Sequence, residues 1–150
     1  MFFTEQGYQV TGVDFSEGMI QVAKERCPSA HFLIQDIVNL QLGESLYDCA
    51  WMNYSLLHIQ KSAVLPSLRT IARSLKAGGI LSICTYLGQG EGLEQDQRYN
   101  GTPKYYSYFS QTELEEMVRS CGFSIIESTI EPLFSQYAKA PSLELWAKKS

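Results

Sequence analysis

The sequence lacks an excess of basic residues. Its 150 residues include 12 Lys and Arg against 16 Asp and Glu, which gives a formal net charge of -4 at pH 7. Binding to a nucleic-acid backbone depends on clustered Lys and Arg side chains. The charge balance therefore disfavours nucleic acid as a main partner and favours a small neutral or cationic ligand.

Paired cysteines and long apolar runs are also lacking. The four cysteines, at positions 27, 49, 84 and 121, form no C-x-x-C motif and have no pair of histidines nearby to complete a metal site. We therefore expect reduced core thiols in a cytoplasmic protein and no bound metal. No stretch approaches the roughly 20 apolar residues of a membrane span, and no basic leader precedes an apolar run, so we expect neither a membrane partner nor a targeting signal.

What the sequence does contain is enough apolar material for one ordinary core. Hydrophobic residues make up 45% of the chain, with nine Tyr, seven Phe and two Trp, whereas disordered chains are poor in aromatics. At this length we expect a single domain over residues 1–150. Short β-branched runs alternate with helical patterns, without repeats or low-complexity tracts, which predicts an α/β fold.

The order of predicted elements follows from these patterns. Strands are predicted at 8–13, 30–34, 47–53, 80–86, 123–130 and 143–147. Helices are predicted at 3–6, 17–27 and 63–76 and from the residue after Ser110 to 121, with Ser16 or Asp14 as the N-cap of the second helix and Ser110 as the N-cap of the last. The run Cys49 to Met52 predicts burial on both faces of its strand, and helical spacing places Met19 with Ile20 on a buried face. Segment 87–108 shows no period and is predicted to be a functional loop.

Two acidic residues follow the first two predicted strands. In an open parallel sheet, ligands bind at the carboxyl ends of the strands. Asp14 lies at such an end and could accept hydrogen bonds from both hydroxyls of a ribose diol; alternatively, it caps the next helix. Asp36 could accept from an adenine amine while Ile37 packs on the ring, or it could be a solvated loop residue.

Taken together, these segments resemble the class I S-adenosylmethionine-dependent methyltransferases. The run V-T-G-V-D-F-S-E-G-M-I at 10–20 is similar to the second motif of that family, and Q-D-I at 35–37 is similar to its adenine-contacting segment. The run Y-D-C-A-W-M-N at 47–53 resembles the family's fourth strand. L-K-A-G-G-I-L at 75–81 resembles its L-K-P-G-G-x-L turn, with Ala77 in place of proline.

The resemblance implies a Rossmann-like methyltransferase sheet, mostly parallel with an antiparallel last strand, and S-adenosylmethionine as the cofactor. It implies that Asp14 binds the ribose hydroxyls and that Asp36 binds the adenine amine. The ring would be flanked by Phe15 and Ile37, and Asn53 with Tyr54 would lie near the methionine part. The remaining cofactor-contacting residues that we expect are Ser16, Met19 and Gln35.

The first strand of the family and its G-x-G-x-G-type loop have no counterpart in the sequence. We therefore expect a methyltransferase-like domain that is incomplete at its N-terminus, with the first strand missing between the strands at 8–13 and 47–53. Either the chain is truncated, or these two strands pair directly. Glycine has no Cβ, so it lets a cofactor approach the backbone closely. We therefore expect that no other residue of the chain replaces the glycine-rich loop. The unpaired strand edges could instead join two copies of the chain.

Aromatic residues and one histidine follow the later strands. His58 could act as a general base that deprotonates a methyl acceptor, or it could be part of a packed loop. Tyr86, Tyr105, Tyr106 and Tyr108 could stack on a flat acceptor, or they could be packing anchors of a lid.

The predicted function is transfer of a methyl group from S-adenosylmethionine to a small-molecule acceptor through its O, N, S or C nucleophile. Two other classes stay open. A nicotinamide-dependent oxidoreductase would share the acidic residue at the strand end. A non-catalytic methyltransferase-like remnant or partner subunit would use its strand edges to recruit another chain.

Overall fold

A computed structural model of the chain describes residues 2–96, 98, 100–133 and 138–150. The helices are α1 (Phe2–Glu5), α2 (Glu17–Arg26), α3 (Lys61–Ser74) and α4 (Gln111–Ser120), with short 3-10 helices at Ile37–Asn39 and Leu56–His58. The strands are β1 (Thr11–Asp14), β2 (His31–Ile34), β3 (Tyr47–Asn53), β4 (Leu75–Tyr86), β5 (Glu91–Gln95), β6 (Pro103–Ser107), β7 (Phe123–Glu131) and β8 (Ser142–Lys149). The chain forms two compact units, Met1–Gln41 and Leu42–Ser150.

The first unit is a βαβ arrangement. Strands β1 and β2 are parallel neighbours, with Asp14 opposite Ile34 at their carboxyl ends. Ser16 caps α2 by accepting a hydrogen bond from the amide of Met19 at 3.3 Å, as the sequence predicts for an N-cap serine. Ile20 is buried, but the expected burial of Met19 is wrong, since 58% of Met19 is exposed. The two strands cover only a narrow part of the surface of α2, and Ile20 lies in that part whereas Met19 does not.

The second unit contains a four-stranded sheet in the order β3-β4-β8-β7. Strand β3 is parallel to β4, whereas β8 is antiparallel to both β4 and β7. The predicted α/β class and the antiparallel last strand are therefore confirmed. The alternative in which the strands at 8–13 and 47–53 pair directly is wrong for the described residues: β1 pairs with β2, and β3 pairs with β4.

Strand β3 lies at the edge of its sheet, and this explains why its predicted burial on both faces is wrong. Met52 is buried, but Trp51 is 57% exposed and Cys49 is also exposed. An edge strand is covered less completely than a central strand. The expectation of core thiols is also wrong for Cys49, whereas Cys84 on β4 is buried.

The predicted helix end at residue 76 and the predicted loop 87–108 both differ from the structure. Helix α3 ends at Ser74, and β4 starts at once with Leu75 and passes through Gly78, which has a φ of 74°. Within the predicted loop, β5 and β6 pair antiparallel, from Glu91 opposite Ser107 to Gln95 opposite Pro103. The sequence of β5 has no apolar alternation that would predict a strand. Its one large apolar residue, Leu93, is 73% exposed.

The core of the second unit lies between its helices and the middle of the sheet. Fully buried side chains come from α3, α4, β4 and β8: Leu68, Leu114, Val118, Leu81, Leu143 and Leu145. The predicted cap of α4 is confirmed, because Ser110 accepts from the amide of Glu113 at 3.2 Å. Among the described residues, no helix combines the length and apolar character that a membrane span requires.

Candidate functional site

In the first unit, the carboxylate of Asp14 is held at the end of β1 by its own backbone turn. Its Oδ1 atom accepts a hydrogen bond from the amide of Ser16 at 2.8 Å. The capping of α2 belongs to Ser16, not to Asp14. Oδ2 of Asp14 has no hydrogen-bond partner in the part of the chain that the structure describes. One carboxylate oxygen is therefore oriented, and the other remains able to accept hydrogen bonds from a ligand.

Asp36 repeats this arrangement after β2. Its Oδ1 accepts from the amide of Val38 at 3.0 Å and starts a short 3-10 helix. Because β1 and β2 are parallel and in register, Asp14 and Asp36 lie at the same edge of their sheet. Phe15, directly after Asp14, leaves 77% of its surface exposed, and Ile37 is half-buried. Two carboxylates and two apolar side chains thus share one edge.

The other three residues that the sequence assigns to the cofactor have local roles or are exposed. Ser16 uses its hydroxyl oxygen for the helix cap. The Gln35 side chain bonds the backbone of Gln41 twice, accepting from its amide at 2.9 Å and donating to its carbonyl at 3.4 Å. Met19 presents its thioether side chain to solvent.

In the second unit, β3 ends in an exposed Asn53 followed by Tyr54, whose φ of 53° lies in the left-handed region. For an aromatic residue this conformation is uncommon and costs energy. It is held by two bonds: the Tyr54 amide donates to the carbonyl of Cys84 at 2.8 Å, and the Tyr54 hydroxyl lies 2.6 Å from Ser142 Oγ. Burial raises the pKa of Tyr54 to about 12, so its hydroxyl stays neutral.

Four tyrosines of this unit form an aromatic cluster, which consists of Tyr54, Tyr86, Tyr106 and Tyr108. Tyr86 and Tyr106 are 2% and 0% exposed, so both rings act as packing groups inside the unit. Tyr108 is half-buried and stacks on Tyr86, with the ring centroids 6.1 Å apart. Contact of these rings with an acceptor, and of the half-buried Tyr105 beside them, stays a prediction.

A buried carboxylate, which no sequence pattern identified, fixes this aromatic cluster. Asp96 is 2% exposed and binds the guanidinium of Arg98 through Nη2 at 2.7 Å and Nε at 3.1 Å. The Tyr106 hydroxyl also donates to Asp96. Arg98 and then Tyr106 hold the pKa of Asp96 well below its usual range, while burial raises the pKa of Tyr106 to about 12. Asp96 and Arg98 are thereby anchored to the cluster through Tyr106.

His58 lies against this cluster with a defined ring orientation. Its Nδ1 atom is 3.0 Å from the backbone carbonyl oxygen of Tyr105, and its ring centroid is 5.1 Å from that of Tyr106. A carbonyl oxygen can only accept, so in this arrangement Nδ1 carries the hydrogen. The neutral ring then has an unprotonated Nε2, which is the form that can take a proton from another molecule. The side chain is exposed, so this atom can be reached from solvent.

Comparison with known proteins identifies the class to which this arrangement belongs. Residues 1–83 match the family described as Methyltransferase domain. The match covers more than half of the chain and includes both the Asp14 and the His58 segments. The chain therefore belongs to the methyltransferase-domain family, as its resemblance to the S-adenosylmethionine-dependent enzymes predicts.

Curated relatives match a smaller part of their own length. A demethylmenaquinone methyltransferase of Streptomyces griseus is 34% identical over 84 residues, which is 56% of this chain and 36% of that protein. A malonyl-[acyl-carrier protein] O-methyltransferase of Salmonella typhimurium is 31% identical over 99 residues, 65% of this chain and 38% of that protein. The chain thus spans between a third and two fifths of these relatives.

Solved structures cover nearly the whole chain. A 1,6-didemethyltoxoflavin-N1-methyltransferase of Burkholderia thailandensis, with bound S-adenosylhomocysteine, has a TM-score of 0.78 at 26% identity and covers 99% of this chain and 64% of its own. An S-adenosylmethionine-dependent methyltransferase of Methanosarcina mazei has a TM-score of 0.85 at 20% identity, with 96% of this chain and 83% of its own covered. At that identity the second likeness establishes the fold alone.

Proposed function

We propose that the protein transfers a methyl group from S-adenosylmethionine to a small-molecule acceptor. The observation that carries this proposal is the edge formed by β1 and β2, where Asp14 and Asp36 each keep one carboxylate oxygen without a partner among the described residues. The family match favours methyl transfer over hydride transfer to a nicotinamide, which is the alternative that the strand-end acid alone leaves open.

The residues at this edge suit an adenosine group. A carboxylate at a strand end can accept from both hydroxyls of a ribose, which is the role that we assign to Asp14. Asp36 would accept from the adenine amine, while the exposed ring of Phe15 and the side chain of Ile37 would cover the faces of the base. Gln35 and Ser16 would hold the two loops in shape through the backbone bonds that they already make.

The second unit, considered by itself, contains the residues that we assign to the methyl acceptor. S-adenosylmethionine supplies an electrophilic methyl group on a sulfonium, and aromatic faces suit such a cation. Asn53 and Tyr54 would lie near that part of the cofactor, and the aromatic cluster, with Tyr105 beside it, would shape the acceptor pocket. His58 would take the proton of the acceptor at Nε2, because its Nδ1 hydrogen is bound to Tyr105.

A thermal-shift comparison tests this assignment. S-adenosylhomocysteine should raise the melting temperature of the chain, whereas NAD at the same concentration should not, because only a ligand that binds the folded state stabilises it. The Glu17→Gln variant, which removes an exposed carboxylate three residues from Asp14, should keep the effect. A shift with NAD and none with S-adenosylhomocysteine would favour the oxidoreductase, and no shift with either would favour a non-catalytic domain.

Location and assembly complete the proposal. We infer a cytoplasmic protein from four cysteines that are all free thiols. We infer that two copies can associate through β3, because this edge strand carries an exposed Trp51 and contains neither Lys nor Pro to discourage pairing. Nucleic acid is not an expected partner of a chain with a net charge of -4.

A further inference from the structure

A cleft in the second unit, away from the aromatic cluster, is lined by three basic side chains. Arg69 and Arg73 come from α3 and Lys149 comes from the end of β8, with Ser120 and Cys121 completing the wall. The cleft has a volume of about 340 Å³. We propose that it binds a soluble anion that carries a phosphate group, as a ligand site additional to the proposed catalytic one.

The positive charges of this cleft face no carboxylate among the residues that the structure describes. Within the described residues, none of the three side chains has a carboxylate partner: Arg73 donates to Thr70 at 3.3 Å, and Lys149 donates to the carbonyl of Leu75 at 2.6 Å. Several other basic residues of this unit are paired with acids, as Lys61 is with Glu113 and Lys76 with Asp48. In a chain with net charge -4, this local excess of positive charge is a distinct feature.

The spacing of the cations fits an anion with several oxygens. Arg69 and Arg73 are four residues apart on α3, so they lie on the same face one turn apart, where two like charges repel each other. A bound anion attracts both guanidinium groups and so offsets the repulsion between them. Guanidinium groups form paired hydrogen bonds with phosphate oxygens, and the Lys149 ammonium, held by Leu75, adds a third cation from a different element.

Within the second unit, the cleft lies far from Tyr54, which is one of the residues proposed for methyl transfer. Lys149 and Ser142 are the two ends of β8, and Ser142 contacts the hydroxyl of Tyr54. At a rise of about 3.3 Å per residue, these ends are about 23 Å apart along the strand. An anion bound beside Lys149 therefore does not reach Tyr54.

Calorimetric titration of sodium pyrophosphate tests the proposal, with ionic strength held constant by sodium chloride. The wild-type chain should bind one pyrophosphate with a saturable isotherm. Arg69→Gln and Arg73→Gln should each weaken binding by about tenfold or more, because each removes a paired charge-assisted contact. Both residues are exposed, so the variants should fold, which a circular-dichroism melt verifies. Lys104→Gln removes a positive charge from β6, which does not line the cleft, and should leave the affinity within about twofold.

Three results would overturn the proposal. The first is the absence of saturable binding at millimolar pyrophosphate. The second is equal weakening in all three variants, which would indicate general attraction to positive charge. The third is binding of poly-glutamate without binding of pyrophosphate, which would assign the cleft to an acidic protein surface.

Discussion

Nδ1 of His58 lies 3.0 Å from the backbone carbonyl oxygen of Tyr105. Because the carbonyl can only accept, this contact selects the ring form with hydrogen on Nδ1 and a lone pair on Nε2. We predict that nitrogen-edited NMR of the histidine side chains will show this form, rather than the other tautomer, for the neutral ring of His58. The opposite form, with hydrogen on Nε2, would contradict the role of His58 as a base.

Substitution of His58 separates its catalytic role from a packing role. His58→Asn keeps a donor near the carbonyl of Tyr105 but has no basic atom, so we expect kcat to fall by about 100-fold or more while KM changes little. His58→Gln should lose activity to a similar extent, because it also lacks a base. Production of S-adenosylhomocysteine reports the rate. If both variants kept wild-type kcat, methyl transfer would proceed by alignment of the reactants alone.

The buried Asp96 should make stability depend on acidity. Its pKa in the folded state lies below that of an unfolded aspartate, so the carboxylate stabilises the fold at pH values above the unfolded-state value of about 3.9. This contribution is lost as the pH falls below that value toward the folded-state pKa. We therefore expect Asp96→Asn to lower the melting temperature by several degrees at pH 7, because it leaves the Arg98 charge without its partner.

The difference in melting temperature between wild type and Asp96→Asn should shrink at about pH 3. Asp48→Asn is the matched control, since Asp48 is an exposed aspartate paired with Lys76. Exposed pairs contribute little, so this variant should melt close to the wild type at both pH values. A constant difference between wild type and Asp96→Asn from pH 7 to pH 3 would show that the charge of Asp96 is not what stabilises the fold.

The free edge of β3 gives a prediction about assembly. Trp51 is 57% exposed on this edge strand, so pairing of β3 between two copies would bury it. We expect a concentration-dependent dimer in gel filtration and a shift toward monomer in Trp51→Lys. Trp146→Lys on β8, which is paired on both sides, should leave the dimer intact. A wild-type chain that stays monomeric at all concentrations would remove the proposal of strand-edge association.

Local signals explain which parts of the fold could be predicted. Ser16 and Ser110 cap their helices as expected, because capping depends on residues within one turn. Strand β3 was predicted with its observed bounds, 47–53, from a continuous apolar run. Its exposure could not be predicted, because whether a strand lies at the edge or in the middle depends on its neighbours in space.

In the candidate site too, residues with a local sequence signal were predicted, and residues whose role depends on neighbours in space were not. Asp14 and Asp36 were chosen because each comes at the end of a predicted strand. In the structure they also come at the ends of β1 and β2. Asp96 was missed because its burial depends on the pairing of β5 with β6, and neither strand has an alternating apolar pattern. The left-handed conformation of Tyr54 was also missed, since no glycine or asparagine signals it.

The central claim is that the edge formed by β1 and β2 holds the adenosine part of S-adenosylmethionine. Titration of S-adenosylhomocysteine, followed by the NMR amide signals of residues 14–16 and 35–38, tests it most directly. The account predicts saturable shifts in both segments and at least about tenfold weaker binding in Asp14→Asn, because hydrogen bonds to a charged group contribute about 1.5–3 kcal/mol. Glu17→Gln should bind as the wild type does. Absence of shifts in these segments, or equal affinity in Asp14→Asn and the wild type, would contradict the claim.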